Sequence, residues 1–100
     1  MLNNDNVLNI VDKLKMLDPN DPEIENCWKQ LVVEFTNESE TIEFLQSCSE
    51  EAIYWVSSIF DDLAYKFPSG NYVEAIKRLA KKFPNVDMSL EIEIAESYIS

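Results

Sequence analysis

Residues 49–70 read SEEAIYWVSSIFDDLAYKFPSG, and this stretch decides which fold the chain can adopt. Apolar side chains recur in it every three or four positions, as on one side of an α-helix: Ala52, Val56, Ile59, Leu63 and Phe67. Ser49 is a favoured residue for capping a helix N-terminus, and Pro68-Ser69-Gly70 is typical of a helix end. The stretch therefore predicts one continuous helix over 50–67, the central helix, with one buried side.

Helical spacing continues on both sides of the central helix, between clusters of helix-breaking residues. Helices are predicted over 4–17, 22–36, 71–83 and 88–98, with a short one after Asn37. Asp21, Asn37 and Ser49 are the expected N-terminal caps. Residues 90–94 alternate apolar and acidic side chains, which is a strand signal, but the sequence offers no partner strand and helix is favoured.

The overall architecture follows from chain length and from the short links between the helices. One hundred residues, 46% of them apolar, make a single domain with a substantial core. Links of about three to five residues make sequential helices antiparallel neighbours. Lys66-Phe67-Pro68 and Lys82-Phe83-Pro84 each close a predicted helix, and this weak echo is compatible with stacked helical hairpins. We predict an all-α, compact single domain, residues 1–100, of about five to six antiparallel helices.

Charge is the most unusual property of the chain, with a formal net charge of −11. No lysine, arginine or histidine occurs in residues 30–65, the acidic block, which carries eight acids. Apolar residues run through the same segment, so the acids belong to a folded surface rather than to a disordered tail. Such a surface attracts a cationic partner and repels nucleic acid and anionic lipid. The alternative is a face that only keeps the protein in solution.

Composition excludes most catalytic and metal chemistry. The chain has no histidine, which rules out Ser–His–Asp and Cys–His catalysis and zinc sites with histidine ligands. The sequence has no glycine-rich phosphate loop or cofactor motif, so we expect no enzyme activity, no cofactor and no bound metal. Cys27 and Cys48 are expected to be buried free thiols, with a disulfide as the minority case. Neither a signal peptide nor a membrane span is evident, so we expect a cytoplasmic protein.

The sharpest candidate for a binding surface lies on the central helix. Glu50, Tyr54, Ser57, Asp61 and Tyr65 follow spacings that place them on one side of a helix, away from the core stripe. Tyrosine is enriched in protein interfaces, and two tyrosines ringed by carboxylates suit a cationic protein surface. The predicted partner-binding residues are Glu50, Tyr54, Ser57, Ser58, Asp61, Asp62, Tyr65 and, on the preceding helix, Glu43. The alternative is that the tyrosines pack against neighbouring helices and the acids are merely solvated.

A cluster of basic residues stands near the end of the predicted helix over 71–83: Lys77, Arg78, Lys81 and Lys82. Basic side chains are favourable at a helix C-terminus. In a chain this acidic we expect them to balance nearby acids, which makes nucleic-acid binding improbable.

Two segments carry a resemblance to a known class of proteins. They are EAIYWVSSIFDDLA at 51–64 and VEAIKRLAKKFPNVD at 73–87, with recognisable points at Trp28, Thr41-Ile42-Glu43, Trp55, Phe60-Asp61-Asp62 and Phe83-Pro84. Over about residues 22–98 the chain resembles the small helical immunity proteins encoded beside polymorphic and contact-dependent inhibition toxins of bacteria. The resemblance implies a cytoplasmic inhibitor of a cognate toxin domain. The toxin is often a nuclease in such systems, and an EndoU-type RNase is one possibility.

These observations leave several function classes open. The leading hypothesis is an immunity protein that occludes a basic toxin domain with its acidic surface. A DNA mimic or other acidic regulator of nucleic-acid-binding proteins shares the charge argument but predicts competition with DNA for many basic proteins. A helical adaptor that docks a partner helix or peptide predicts binding that is insensitive to salt.

Overall fold

The computed structural model describes residues 4–99. All regular secondary structure in this part of the chain is helical, and it contains no strand. Seven α-helices follow one another, with one 3₁₀ turn, Ser57–Ile59, between the fourth and fifth: α1 Asn4–Met16, α2 Glu23–Glu34, α3 Glu38–Ser47, α4 Glu50–Val56, α5 Phe60–Lys66, α6 Gly70–Lys82 and α7 Ser89–Ser97. Because α4, the 3₁₀ turn and α5 are contiguous, they form one bent rod, and the fold has six rods. The predicted all-α class is confirmed.

The helices begin where short polar side chains replace the missing backbone partners. Asn37 Oδ1 and Ser49 Oγ each accept a hydrogen bond from the backbone N–H three residues later, at 3.1 and 3.2 Å. Asp21 Oδ1 accepts from the N–H two residues later at 2.9 Å. The three predicted caps are therefore confirmed. Ser69 caps α6 in the same way at 3.2 Å, and Asp87 Oδ1 accepts the N–H of Ser89 at the start of α7.

A single apolar cluster joins every helix of the described chain. α1 packs on α2 and α4, α3 packs on α6, and α7 packs on both α5 and α6. Ala52, Val56, Ile59 and Leu63 of the predicted core stripe are buried, whereas Phe67 is only half-buried. The Cα radius of gyration, 12.8 Å, matches the roughly 13 Å expected of a compact chain of this length.

The central helix is bent, and the prediction of one continuous helix over 50–67 is wrong. Residues 57–59 form a 3₁₀ turn, in which Ile59 departs from helical geometry with φ −111° and ψ 11°. Ser57 Oγ donates a hydrogen bond to the carbonyl of Tyr54 at 2.7 Å, an interaction that commonly bends helices. Ile59 is fully buried, and the turn packs against α2. The bend therefore lets one rod follow the curvature of the core.

Two further expectations concern the C-terminal segment and the two cysteines. Residues 90–94 are helical within α7, so helix was the right choice over strand. Cys27 is buried and Cys48 is half-buried, and both are free thiols.

No residue between 4 and 99 has a positive φ, and a Cβ added at Gly70 would meet no atom within 4 Å. The turns are thus built from proline and capping side chains rather than from glycine.

Candidate partner-binding surface

Both tyrosines of the predicted face are exposed. The side chains of Tyr54 and Tyr65 have 58% and 75% of their surface accessible to solvent. Glu50, Ser58 and Asp62 are also exposed, whereas Ser57 and Asp61 are half-buried. The tyrosines are therefore accessible to a partner, although Tyr65 also contacts a ring that follows α7, so partial packing against neighbouring helices stays an alternative.

The 3₁₀ turn divides the predicted face into two parts. A 3₁₀ helix turns by about 120° per residue instead of about 100°, so three residues rotate the following helix by roughly 60°. The part before the turn, with Glu50 and Tyr54, lies on α4, which packs on α1. The part after the turn, with Asp61 and Tyr65, lies on α5, which packs on α7. The two parts consequently have different neighbours.

The first part centres on an aromatic pair. The ring of Tyr54 meets that of Trp55 edge to face, with centroids 5.3 Å apart. The neighbouring Glu51 forms an ion pair with Lys15 of α1. Glu43, the remaining predicted residue, is exposed on α3, a helix that packs on α6.

Asp62 lines a groove between α5 and α2. The groove has a volume of about 340 Å³, and its other lining residues are Glu25, Trp28, Lys29 and Val32. Partial burial raises the pKa of the Asp62 carboxyl, and the neighbouring charge of Asp61 raises it further. A cation placed in this groove would relieve that unfavourable environment.

Asp61 is half-buried on α5, the helix that packs on α7. The residue before it, Phe60, accepts a hydrogen bond at its carbonyl from the hydroxyl of the buried Tyr72 of α6, at 2.8 Å. Burial raises the pKa of Tyr72, and the charges of Asp61 and Glu91 raise it further. Both carboxylates therefore disfavour ionisation of the Tyr72 hydroxyl.

The second tyrosine has a partner that sequence reasoning missed. The rings of Tyr65 and Tyr98 meet edge to face, with centroids 5.9 Å apart and an angle of 69° between their planes. Leu90 and Ile94 of α7 and Tyr98, which directly follows the helix with helical backbone angles, are spaced four residues apart and share one side. Leu90 and Tyr98 are 62% and 46% exposed. Two signals could have found them: this spacing, and the absence of any lysine or arginine after Lys82.

Most of the predicted acids are not neutralised inside the fold. Glu43, Glu50, Asp61 and Asp62 form no ion pair with any residue between 4 and 99. The basic cluster balances acids only in part. Lys77 pairs with Glu96 at 3.1 Å, and Lys82 Nζ donates to the carbonyl of Gln46. Arg78, Lys81 and Lys82 make no ion pair within the described chain, so of the four basic residues only Lys77 pairs directly with a described acid.

The described residues lack two further features, a cluster of metal ligands and a membrane-spanning helix. Residues 4–99 contain no group of three or more cysteine, aspartate or glutamate side chains arranged to hold a metal ion. None of their helices is both long enough and apolar enough to cross a membrane.

No protein-family model, no curated protein and no solved structure matches the chain. Its function must therefore be argued from the surface itself.

Proposed function

We propose that this protein is an immunity-type inhibitor, which binds a cognate basic toxin domain and blocks it with its acidic surface. The observation that carries the proposal is the coincidence of exposed tyrosines with unpaired acids along α4 and α5. Tyr54 and Tyr65 are exposed, and Glu50 and Asp62 beside them form no ion pair with a described residue. Tyrosine supplies contact area, and the acids supply attraction and orientation toward a cationic surface.

A nuclease is the toxin class that this chemistry favours. Nucleases bind phosphates and therefore present lysine and arginine around their active site. An acidic domain can occupy such a cleft without imitating the substrate in detail. An EndoU-type RNase remains one candidate, on the strength of the sequence resemblance alone.

The test is rescue of cells from a toxin. The C-terminal domain of the large open reading frame adjacent to this gene is expressed with and without the protein, and survival and RNA integrity are scored. We expect toxicity that the wild-type protein suppresses. Toxicity without rescue would refute the proposal.

A pair of charge reversals then tests whether the acids of α4 and α5 are responsible for rescue. Glu50→Lys combined with Asp62→Lys should abolish rescue, because it places positive charge against a cationic toxin. Glu74→Lys combined with Asp5→Lys, at exposed positions on α6 and α1, makes the same change in net charge and is the control for charge change alone. Circular dichroism confirms that each variant is folded. Equal loss of rescue in both proteins would assign the effect to overall charge rather than to this surface.

A helical adaptor is a second candidate, favoured by the exposed apolar side of α7. Leu90 and Tyr98 are large apolar side chains left in solvent, which is typical of a surface that docks a partner. Salt separates the two candidates. Inhibition of a basic toxin requires an association rate that falls as ionic strength rises, whereas apolar docking is nearly insensitive to salt.

A further inference from the structure

The outer side of α7 continues the surface of Tyr65 into a patch defined by four residues, Tyr65, Leu90, Ile94 and Tyr98, the α5/α7 patch. Tyr65 is 75% exposed, Leu90 is 62% exposed and Tyr98 is 46% exposed, while Ile94 is half-buried. The contact of the Tyr65 and Tyr98 rings joins the two helices at one end of the patch. The patch is therefore continuous across two elements.

The side chains of the α5/α7 patch are not part of the hydrophobic core. The inner side of α7 is formed by Ala95, with 1% of its surface exposed, and by Ile92, which packs against the core. Met88, just before the helix, is likewise 1% exposed. Folding thus buries one side of α7 and leaves large apolar side chains exposed on the other. Exposed apolar surface of this kind is characteristic of a binding site.

The surroundings of the patch are acidic. α7 contains Glu91, Glu93 and Glu96 but no basic residue. On α5, Asp61 lies one helical turn before Tyr65 and forms no ion pair with a described residue. Lys77, the basic residue that reaches α7, is engaged in an ion pair with Glu96. The patch therefore has an apolar centre and a rim of negative charge.

We propose that the α5/α7 patch is the docking surface for a basic protein partner, which places apolar side chains against the patch and lysine or arginine around it. The assignment rests on the proposed function only in taking the partner to be a basic protein. Charge complementarity selects this occupant. A second copy of the chain is disfavoured because each copy carries a net charge of −11, and an anionic membrane is disfavoured for the same reason.

The experiment uses a synthetic helical peptide as probe, about 18 residues or five turns long, with leucine on one side and lysine on the other. The ¹⁵N-labelled full-length protein is titrated with this peptide, and chemical-shift changes are mapped. A matched peptide with glutamate in place of lysine is the probe control. Leu90→Ser combined with Tyr98→Ser is the test variant. Val33→Ser removes an equally exposed apolar side chain, 69% exposed, from α2 and is the matched control.

We expect shift changes centred on residues 61–65 and 90–98 with the lysine peptide and none with the glutamate peptide. The double variant should weaken binding by at least about tenfold, and Val33→Ser should leave it unchanged. Shift changes spread over the acidic block, or unchanged binding by the double variant, would overturn the proposal. A dimer in sedimentation that the double variant abolishes would also overturn it, because the occupant would then be a second copy.

The toxin rescue assay with the same variants separates this proposal from the proposed function. Rescue by wild type and Val33→Ser, but not by the double variant, supports both. Rescue by all three proteins overturns the docking assignment and leaves the inhibitor function standing. Absence of rescue by any of them, with peptide binding still centred on the patch, overturns the inhibitor function and leaves the docking assignment standing.

Discussion

At the scale of single residues, Tyr72 is a large side chain whose polar group is buried in the fold. Its side chain is 1% exposed, and its hydroxyl donates to the carbonyl of Phe60 at 2.8 Å, where α5 begins. The bond ties the first turn of α6 to the bend in the central rod. Replacement by phenylalanine keeps the ring and removes only this bond.

We expect Tyr72→Phe to lower the free energy of unfolding by about 1 kcal/mol, the usual contribution of a buried hydrogen bond. Urea unfolding followed by circular dichroism measures it. Tyr65→Phe is the matched control, because the same atom is removed from a side chain that is 75% exposed. A loss at position 72 no larger than at position 65 would show that the bond contributes nothing.

Titration of the Cys48 thiol makes the free energy of unfolding depend on pH in the alkaline range. Burial raises the pKa of its thiol from the ordinary 9.0 to about 12, although the charge of Lys82 opposes the rise. A raised folded-state pKa means that the folded protein holds the proton more tightly. The contribution of the thiol is therefore complete below pH 9.0 and is lost as pH rises toward about 12.

We predict that Cys48→Ala loses less stability than wild type between about pH 8 and about pH 11, in reducing buffer. The measurement is urea unfolding of both proteins at both values. Tyr72 also has a raised pKa, but it is present in both proteins and cancels in the difference. Equal losses would contradict the assignment to Cys48.

At the scale of elements, the two Lys-Phe-Pro segments make the same kind of contact, from a lysine to the carbonyl of an earlier helix. Lys66 Nζ donates to the carbonyl of Val32 at 2.8 Å, and Lys82 Nζ donates to that of Gln46 at 3.3 Å. These carbonyls lie in the last turns of α2 and α3, where helix carbonyls lack their usual partner four residues later, and that of Val32 also accepts the backbone N–H of Phe35 at 3.3 Å. Phe67 and Phe83 end α5 and α6 with nearly identical backbone angles, φ −126° and −125°. Each segment thus ends its own helix and caps an earlier one.

Removing the Lys66 ammonium should cost at most about 1 kcal/mol of unfolding free energy, since the Val32 carbonyl loses one of its two donors and keeps the N–H of Phe35 at 3.3 Å. Lys66→Met preserves the methylene chain, and thermal unfolding at low salt measures the change. Lys81→Met is the control, because Lys81 is exposed and makes no ion pair with a described residue. Lys82→Met, with the longer bond, should cost less than Lys66→Met.

The sequence predicted elements better than it predicted their junctions. Asn37 and Ser49 were correct as caps because capping is decided within about three residues, all visible locally. The bend at Ser57–Ile59 was missed because Ser-Ser-Ile is compatible with a helix, and packing against α2 decides its shape. The candidate surface follows the same rule. Exposure of Tyr54 and Tyr65 could be predicted from helical spacing, whereas the contact of Tyr65 with Tyr98 depends on how α5 meets α7.

At the scale of the whole molecule, the net charge of −11 opposes compactness. Four ion pairs form between described residues, all with exposed side chains, and such pairs contribute little. Self-repulsion between acids is therefore the dominant electrostatic term in the folded state, and salt screens it.

We expect the Tm to rise by several degrees between about 20 mM and about 500 mM NaCl, opposite to a protein held together by surface ion pairs. Differential scanning fluorimetry measures it. A variant with Glu43, Glu50, Glu91 and Glu93 changed to glutamine should gain less from salt. A Tm that falls with salt in the wild type would refute this account.

The backbone of the turns has a consequence for how the chain can change. Since no residue from 4 to 99 uses a positive φ, no turn is reserved for glycine on steric grounds. Even Gly70 has room for a side chain. Loop positions that carry neither a capping side chain nor a proline can therefore vary, by natural divergence or in a randomised library, while the helices that display the acidic surface keep their positions.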